Sequence, residues 1–382
     1  MVYFTEAQKK FQKRMRQFAR ENLSEGASER AKMDRSAPEF LKKLASEGLF
    51  GLTTVPEYGG KQTDCVSIGI VFEEICGVDY SAFAVMLSHV VIPLMLKWAS
   101  EDLQKEWLPA LCAGEKLVCF GNTEPDCGSD AAAISTSAVR QDDAYVINGE
   151  KTSISGGMQA DSILITAKTD FEAGSKGITC FFVPFSLEGV SRTRFTDMGA
   201  HPSGRASIFL NDVRIPDSYR IGGEGEGFTK VMGGLDFARV LVVLAALGMA
   251  VVSQKEAIEY SKTKVNFGSP LSNFEGFAFK LAENATLIEA SRLLCYQALK
   301  LRDENLPHTK ACAMAKWYAA DCATRVIHDV LLVYGCKGYG DAFPIEQRLR
   351  DVTGTKIGDG TAEIMKLIIA RELLGRKFIP VM

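Results

Sequence analysis

The hydrophobic period of this chain changes twice along its length. Up to about residue 116, apolar side chains recur every three or four positions, as in "EAQKKFQKRMRQFAREN", "PEFLKKLASEGLFG" and "EDLQKEWLPALCAGE". That spacing puts them on one face of a helix. From about 117 to 225 the texture becomes that of short strands: "AYVINGEKTSIS", "DSILITAKT", "GITCFFVPF" and "RASIFLNDVRIP" alternate or carry compact apolar centres. From 226 onward the helical period returns in much longer segments. Strands and helices do not alternate one by one, which excludes a doubly wound parallel sheet. The expected fold class is therefore α+β and multidomain: an N-terminal helical domain (1–116), a small all-β middle domain (117–225) and a C-terminal helical bundle (226–382). With 382 residues, 47% of them apolar, the chain can fill a core in each.

Local signals add detail. "TEAQ" (5–8) predicts a capping box, with Thr5 as the cap and Gln8 reaching back. Asn148-Gly149, between two β-favouring runs, predicts a type I′ hairpin. "VLVVLAALGMAVV" (240–252) is too short to span a bilayer and reads as a buried helix, so no membrane partner is expected. "GGEGEG" (222–227) lacks both the G-x-G-x-x-G spacing and a βαβ setting, and reads as the linker into the bundle. A net charge of −3 with no basic face argues against nucleic acid. The ten cysteines and four histidines show no zinc-ligand spacing, so no metal is expected and the thiols read as reduced and mostly buried. The N-terminus enters a helix without a secretory segment. The expected location is cytoplasmic in a bacterium, or the mitochondrial matrix for a processed eukaryotic chain.

One short stretch, "KIGDGTAEIMK" (356–366), sits between two helical patterns. Gly358 and Gly360 flank Asp359, leaving its carboxylate on a turn with little bulk beside it. By local pattern alone, Asp359 or Thr361 caps the last helix, with Glu363 in its first turn. A catalytic carboxylate presented on a turn is the alternative.

Five segments, in order and spread over nearly the whole chain, resemble the signatures of acyl-CoA dehydrogenases. They are "NTEPDCGSD" (122–130), "INGEKTSIS" (147–155), "FGSPLSNFE" (267–275), "GCKGYGDAFPIEQRLRD" (335–351) and "GDGTAEI" (358–364). The resemblance implies a flavoprotein that binds FAD between the middle domain and the bundle, with a neighbouring subunit of a homotetramer touching the ADP moiety. The implied reaction is α,β-dehydrogenation of an acyl-CoA. A base removes the Cα proton while hydride leaves Cβ for flavin N5, and an electron-transferring flavoprotein then accepts the electrons.

Carried over residue by residue, the family's catalytic glutamate falls on Asp359. Its alternative base position falls on Ala238, so no second carboxylate competes. Asp236 and Arg239 match positions near the CoA pantetheine; their bland reading is a surface pair on one helix. Phe120, Asn122 and Thr123 match the segment meeting the flavin ring, and Ser129 a residue shared by flavin phosphate and CoA. Ser155 matches a threonine near N5, and Ser153 stands where the family has a tryptophan over the flavin edge. Lys264, Phe267, Glu275 and Cys336 match the ADP contacts, while Thr361 and Glu363 follow the catalytic turn. Thr123 and Ser155 read equally as turn hydroxyls, and Phe267 as core.

The departures imply a substrate. Asp359 is one methylene shorter than glutamate, which retracts the carboxylate by about 1.5 Å, one C–C bond. Gly358 replaces a tyrosine, and Gly358 and Gly360 leave room on the base side. A Cα that is branched or part of a ring would meet such a base. The combination of "GEKTSIS" and "GMQAD" with "GDGTAEIMK" resembles the cyclohexanecarboxyl-CoA dehydrogenases. A 1,4-dehydrogenase of cyclohex-1-ene-1-carboxyl-CoA would need a further base on the segment 81–100. That segment offers only His89 and Lys97, and a buried, satisfied histidine is the commoner case. A short or branched-chain dehydrogenase and a non-catalytic flavin- or CoA-binding relative are the other readings.

Overall fold

The computed structural model describes residues 4–375 and Lys377. The chain opens with six helices: α1 (Glu6–Asn22), α2 (Ala27–Arg30), α3 (Pro38–Ser46), α4 (Cys65–Val78), α5 (Met86–Trp98) and α6 (Glu101–Cys112). The expected capping box starts α1: Thr5 accepts from the Gln8 backbone, and the Gln8 side chain accepts from Thr5 N–H. Strands follow: β1 (Val118–Gly121), β2 (Ser137–Gln141), β3 (Ala144–Ile154), β4 (Ser162–Lys168), β5 (Ile178–Pro184), β6 (Val190–Arg194), β7 (Ala206–Pro216) and β8 (Arg220–Ile221). They form one sheet in the order β6-β7-β3-β2-β4-β5-β8, with β1 paired parallel to β4. Helices then resume with α7 (Gly227–Thr263). A two-residue-strand hairpin, β9 (Val265–Asn266) and β10 (Ser269–Pro270), leads to α8 (Glu275–Asp303), α9 (Thr309–Tyr334), α10 (Cys336–Tyr339), α11 (Ile345–Thr353) and α12 (Ala362–Leu374). The α+β architecture with helical, β and helical parts is the one expected.

The hairpin assignment was misplaced. Asn148-Gly149 lies inside β3, where the register with β7 shifts between Ile147 and Gly149. The real turn is Asp142-Asp143, since Gln141 pairs with Ala144 and Asp142 takes the left-handed φ of 56°. The reason is that a bulge and a tight turn both recruit Asn and Gly. Here an 11-residue partner strand, β7, continues past the site on both sides. Gly149 is required there: a Cβ would meet Thr136 Oγ1 at 2.5 Å.

Helix α7 is apolar on every side between Val240 and Ala250 because neighbours surround it there. By length and composition α7 and the stretch Tyr80–Trp98 would suffice to cross a membrane, contrary to the estimate from the apolar run alone. In the fold, 83% and 61% of those windows are buried against the rest of the protein. Helices α4 and α7 cross backbone to backbone. A Cβ on Gly248 would sit 2.1 Å from the Glu73 carbonyl oxygen, and one on Gly77 2.9 Å from that of Gly248. Side chains are excluded from this crossing, which locks the N-terminal helices to the bundle. The last helix ends at Leu374 with Gly375 as its C-cap. Arg376 and Phe378–Met382 lie outside the described residues.

Candidate active site

The turn 358–360 is held from two helices at once. Asp359 adopts φ 58°, a left-handed conformation unusual for a residue with a side chain, and Gly360 follows at φ 102°. From α7, Arg239 donates Nε–H to the Asp359 carbonyl oxygen at 3.0 Å. Its Nη1 pairs with Asp236 at 2.8 Å, and Asp236 in turn accepts from the Thr309 hydroxyl at 2.7 Å. Asp236 and Arg239 are each only 6% exposed, so they are a buried, hydrogen-bonded pair rather than a surface one. From α9, the ammonium of Lys316 donates to the carbonyls of Thr355 at 2.7 Å and Gly360 at 2.8 Å. Lys316 is 1% exposed. No linear motif marks it; the only signal is a lone lysine in the small-residue run "ACAMAKWYAADCA".

Asp359 keeps part of its surface accessible while its carboxyl is crowded by protein atoms. Burial raises its pKa, and Lys316 and then Arg239 oppose that rise. Burial lowers the Lys316 pKa to about 8, against the attraction of Asp359. Tyr80 faces this region from the N-terminal half. Burial, and then the charges of Cys76, Asp351 and Asp359, raise its phenol pKa and keep it neutral. Thr361 caps α12, with Glu363 exposed in the first turn.

A second cluster forms on the sheet. The Thr152 N–H donates to the Thr123 carbonyl at 2.9 Å, which zips the segment after β1 to the end of β3. Thr123 thus lies beside Ser153 and Ser155, with Phe120 at the end of β1. Below them, Lys151 is fully buried and donates to Glu124 at 2.6 Å and to the Asn122 carbonyl at 3.2 Å. Glu124 also accepts from Ser135 N–H, the Ser135 hydroxyl and Thr136 N–H. The Asn122 side chain is turned inward, to Thr166 and the Ala131 carbonyl. Ser129 is exposed on the loop after it.

Lys264, Phe267, Glu275 and Cys336 join neither cluster. Phe267 is no core residue: it sits at φ 50° on the tip between β9 and β10 and is 99% exposed. Glu275 and Cys336 are likewise exposed, at the starts of α8 and α10. His89 is 1% exposed and satisfied by the Leu49 carbonyl at 2.9 Å, edge-on to Phe72. A cleft of about 510 Å³ opens elsewhere, between α1, α4, α7 and residues 344–348. Its Arg16, Arg292 and Arg348 are already paired with Glu74, Glu73 and Glu256.

Three family models match in succession: the acyl-CoA dehydrogenase N-terminal domain at residues 5–115, the middle domain at 119–213 and the C-terminal domain at 225–374. The chain belongs to the acyl-CoA dehydrogenase family. It is 35% identical to the 3-(aryl)acrylate reductase of Clostridium sporogenes, covering 98% of this chain and 100% of that one. It is 33% identical to the caffeyl-CoA reductase–Etf complex subunit CarC of Acetobacterium woodii, covering 98% and 100%. The structure of butyryl-CoA dehydrogenase from Megasphaera elsdenii superposes with a TM-score of 0.93 at 33% identity, over 97% of this chain and 99% of that one. This member of the family is an oxidoreductase of acyl-CoA thioesters, and its cofactor is FAD. The sheet cluster fits a flavin: the half-buried Thr123 and Ser155 hydroxyls have no hydrogen-bond partner among the described residues, beside the left-handed Ser153 (φ 61°) and Gly156 (φ 77°).

Proposed function

We propose that Asp359 is the base in α,β-dehydrogenation of a short, wide acyl-CoA. The first substrate to test is cyclohexane-1-carboxyl-CoA, giving cyclohex-1-ene-1-carboxyl-CoA. The observation that carries this reading is the turn itself. A shortened carboxylate stands there with its own carbonyl and that of Gly360 pinned by buried cations. Beside it, a Cβ on Gly358 would meet nothing nearer than the Gly354 carbonyl oxygen at 3.7 Å. Bound FAD supplies the hydride acceptor. Asp359, whose burial raises its pKa, takes the Cα proton; a base poised upward in this way suits catalysis near neutrality. Arg239 and Lys316 fix where that carboxylate points.

On the same reading, Phe120, Asn122, Thr123, Ser129, Ser153, Ser155, Thr361 and Glu363 serve the flavin from within the chain. Ser129, Asp236, Arg239, Gly358 and Gly360 line the path of the thioester. Lys264, Phe267, Glu275 and Cys336 serve the ADP end of a flavin held by another copy, a role that suits the exposure of Phe267, Glu275 and Cys336. A homotetramer working away from membranes, with an electron-transferring flavoprotein as redox partner, completes the proposal. The Etf complex named for the Acetobacterium woodii relative supports that partner. Two relatives named for reduction of arylacrylic substrates favour a second reading, saturation of an arylacrylyl-CoA in the same pocket.

The test is anaerobic mixing of purified holoenzyme with cyclohexanecarboxyl-CoA, 3-phenylpropionyl-CoA or butyryl-CoA while oxidised-flavin absorbance is followed. Rapid bleaching by the cyclic thioester supports the first reading, and by the aryl thioester the second. Bleaching by butyryl-CoA alone would refute the wide pocket.

A further inference from the structure

Within the Asp359 cluster, Lys316 alone touches the turn without touching Asp359 itself. Its two hydrogen bonds span the loop, from the Thr355 carbonyl on one side to the Gly360 carbonyl on the other. An ammonium has three donors. Two are used here, and no ion pair with the Asp359 carboxylate forms. We propose that Lys316 is a positioning residue for proton transfer at Asp359: its carbonyl bonds hold the turn in the left-handed conformation, and its charge keeps the base ionised between turnovers. This rests on the reading of Asp359 as the base.

The step it supports is simple to balance. The substrate Cα–H bond breaks, its electron pair enters the thioester enolate, and the proton forms an O–H bond on the Asp359 carboxylate. The base must therefore be charged before the step and neutral after it. Burial opposes the charged form, and the charges opposing burial are Lys316, on α9, and Arg239, on α7. Arg239 stays protonated at any working pH. Lys316 does not, because burial has brought it to about 8. The groups facing it are Asp359 in the turn, Arg239 on α7 and Asp321 on α9, and Asp321 is itself paired with Lys356. Above pH 8 the neutral amine still donates its two N–H groups, so the turn keeps its shape while the base loses its neighbouring charge. At such pH the carboxylate is ionised by the pH itself, so the Lys316 charge acts on the acid side, where it extends the ionisation of Asp359 to lower pH.

The experiment isolates proton abstraction from hydride transfer. The probe is 3-thiabutyryl-CoA, whose Cα carries acidic hydrogens but whose sulfur at the next position has no hydride to give. Holoenzyme is incubated with it in D2O, and loss of the Cα proton signal is followed by NMR from pH 5 to 9. Wild-type exchange is expected to rise with pH through the ionisation of Asp359 and to hold its level above it. Lys316→Met, which loses both donors and charge, should slow exchange about 100-fold, as an ångström-scale displacement of a base does. Lys316→Gln keeps a donor without the charge. It should move the acid limb to higher pH by about one unit, a roughly tenfold loss on that limb, the effect of about 1.4 kcal/mol. Lys316→Arg should restore exchange in part and keep the acid limb at its wild-type pH. Asp359→Asn is the control. If it exchanges as fast as wild type, Asp359 is not the base and the reading beneath this proposal fails. If Asp359→Asn is inactive while both neutral Lys316 variants match wild type at every pH, the base stands and the role of Lys316 is overturned. Should Lys316→Met fail to fold by circular dichroism, Lys316→Gln decides: wild-type exchange with an acid limb at the wild-type pH refutes the proposal.

Discussion

The ion pair under the flavin segment gives the sharpest stability prediction. Lys151 and Glu124 expose 0% and 3% of their side chains and meet at 2.6 Å. Removing one partner of a buried pair costs about 3–5 kcal/mol, because the other charge stays behind. Two opposing shifts narrow that range. Burial works to raise the Glu124 pKa, but Lys151 and the donors at Thr136 and Ser135 outweigh it and bring the carboxyl down to about 2, from an ordinary 4.5. At about 1.36 kcal/mol per unit, that shift contributes on the order of 3 kcal/mol above pH 4.5. The Lys151 pKa is pushed down by its own burial, which offsets part of the gain. After Lys151→Met, Glu124 would still hold the Ser135 N–H at 2.6 Å and the Ser135 hydroxyl at 2.7 Å. The expected cost is therefore near the low end, about 3 kcal/mol. The double variant Lys151→Met/Glu124→Leu should recover at least half, since the buried charge goes with its partner. The assay is urea unfolding of the holoenzyme at fixed protein concentration, followed by fluorescence of its three tryptophans, of which Trp107 packs on Phe182 of β5 at 4.8 Å between ring centres. A Lys151→Met loss below about 1 kcal/mol, or a double variant that loses the sum of both singles, would refute this account.

Three further outcomes follow from the same geometry. His89 stays neutral in the fold, its pKa lowered by burial to about 4 from 6.5, so the unfolded chain binds its proton first as pH falls. Stability should drop between pH 6.5 and 4 by up to about 3 kcal/mol, and His89→Leu should flatten that slope in urea titrations across the window. Gly248→Ala places a Cβ 2.1 Å from the Glu73 carbonyl oxygen at the α4–α7 crossing; it should cost about 1–3 kcal/mol or more by overpacking, read as a lower thermal midpoint, and an unchanged midpoint would contradict the close crossing. Phe267→Ser removes a ring that is 99% exposed. It should leave secondary structure intact while weakening self-association and FAD retention, measured by analytical ultracentrifugation and flavin content after dilution; normal assembly and full flavin would exclude Phe267 from an interface.

Period and punctuation along the chain determined the large-scale order of this fold. Apolar spacing separates the helical ends from the β middle, and the Thr5 capping box forms as its four residues dictate, because those interactions are local. The Asp359 turn was also legible, since two glycines around a carboxylate break the helical pattern on both sides. What the sequence could not decide was which of several local solutions long-range partners would select. Asn148-Gly149 became a bulge because β7 supplied partners on both sides of it. Asp236 and Arg239, three residues apart on one helix, became a buried pair because Thr309 and the Asp359 carbonyl meet them from elsewhere. Phe267 left the core for a hairpin tip. Lys316 is the clearest case. Its two acceptors lie 39 and 44 positions away in the chain, so its tie to Asp359 exists only once α9 is packed beneath the turn.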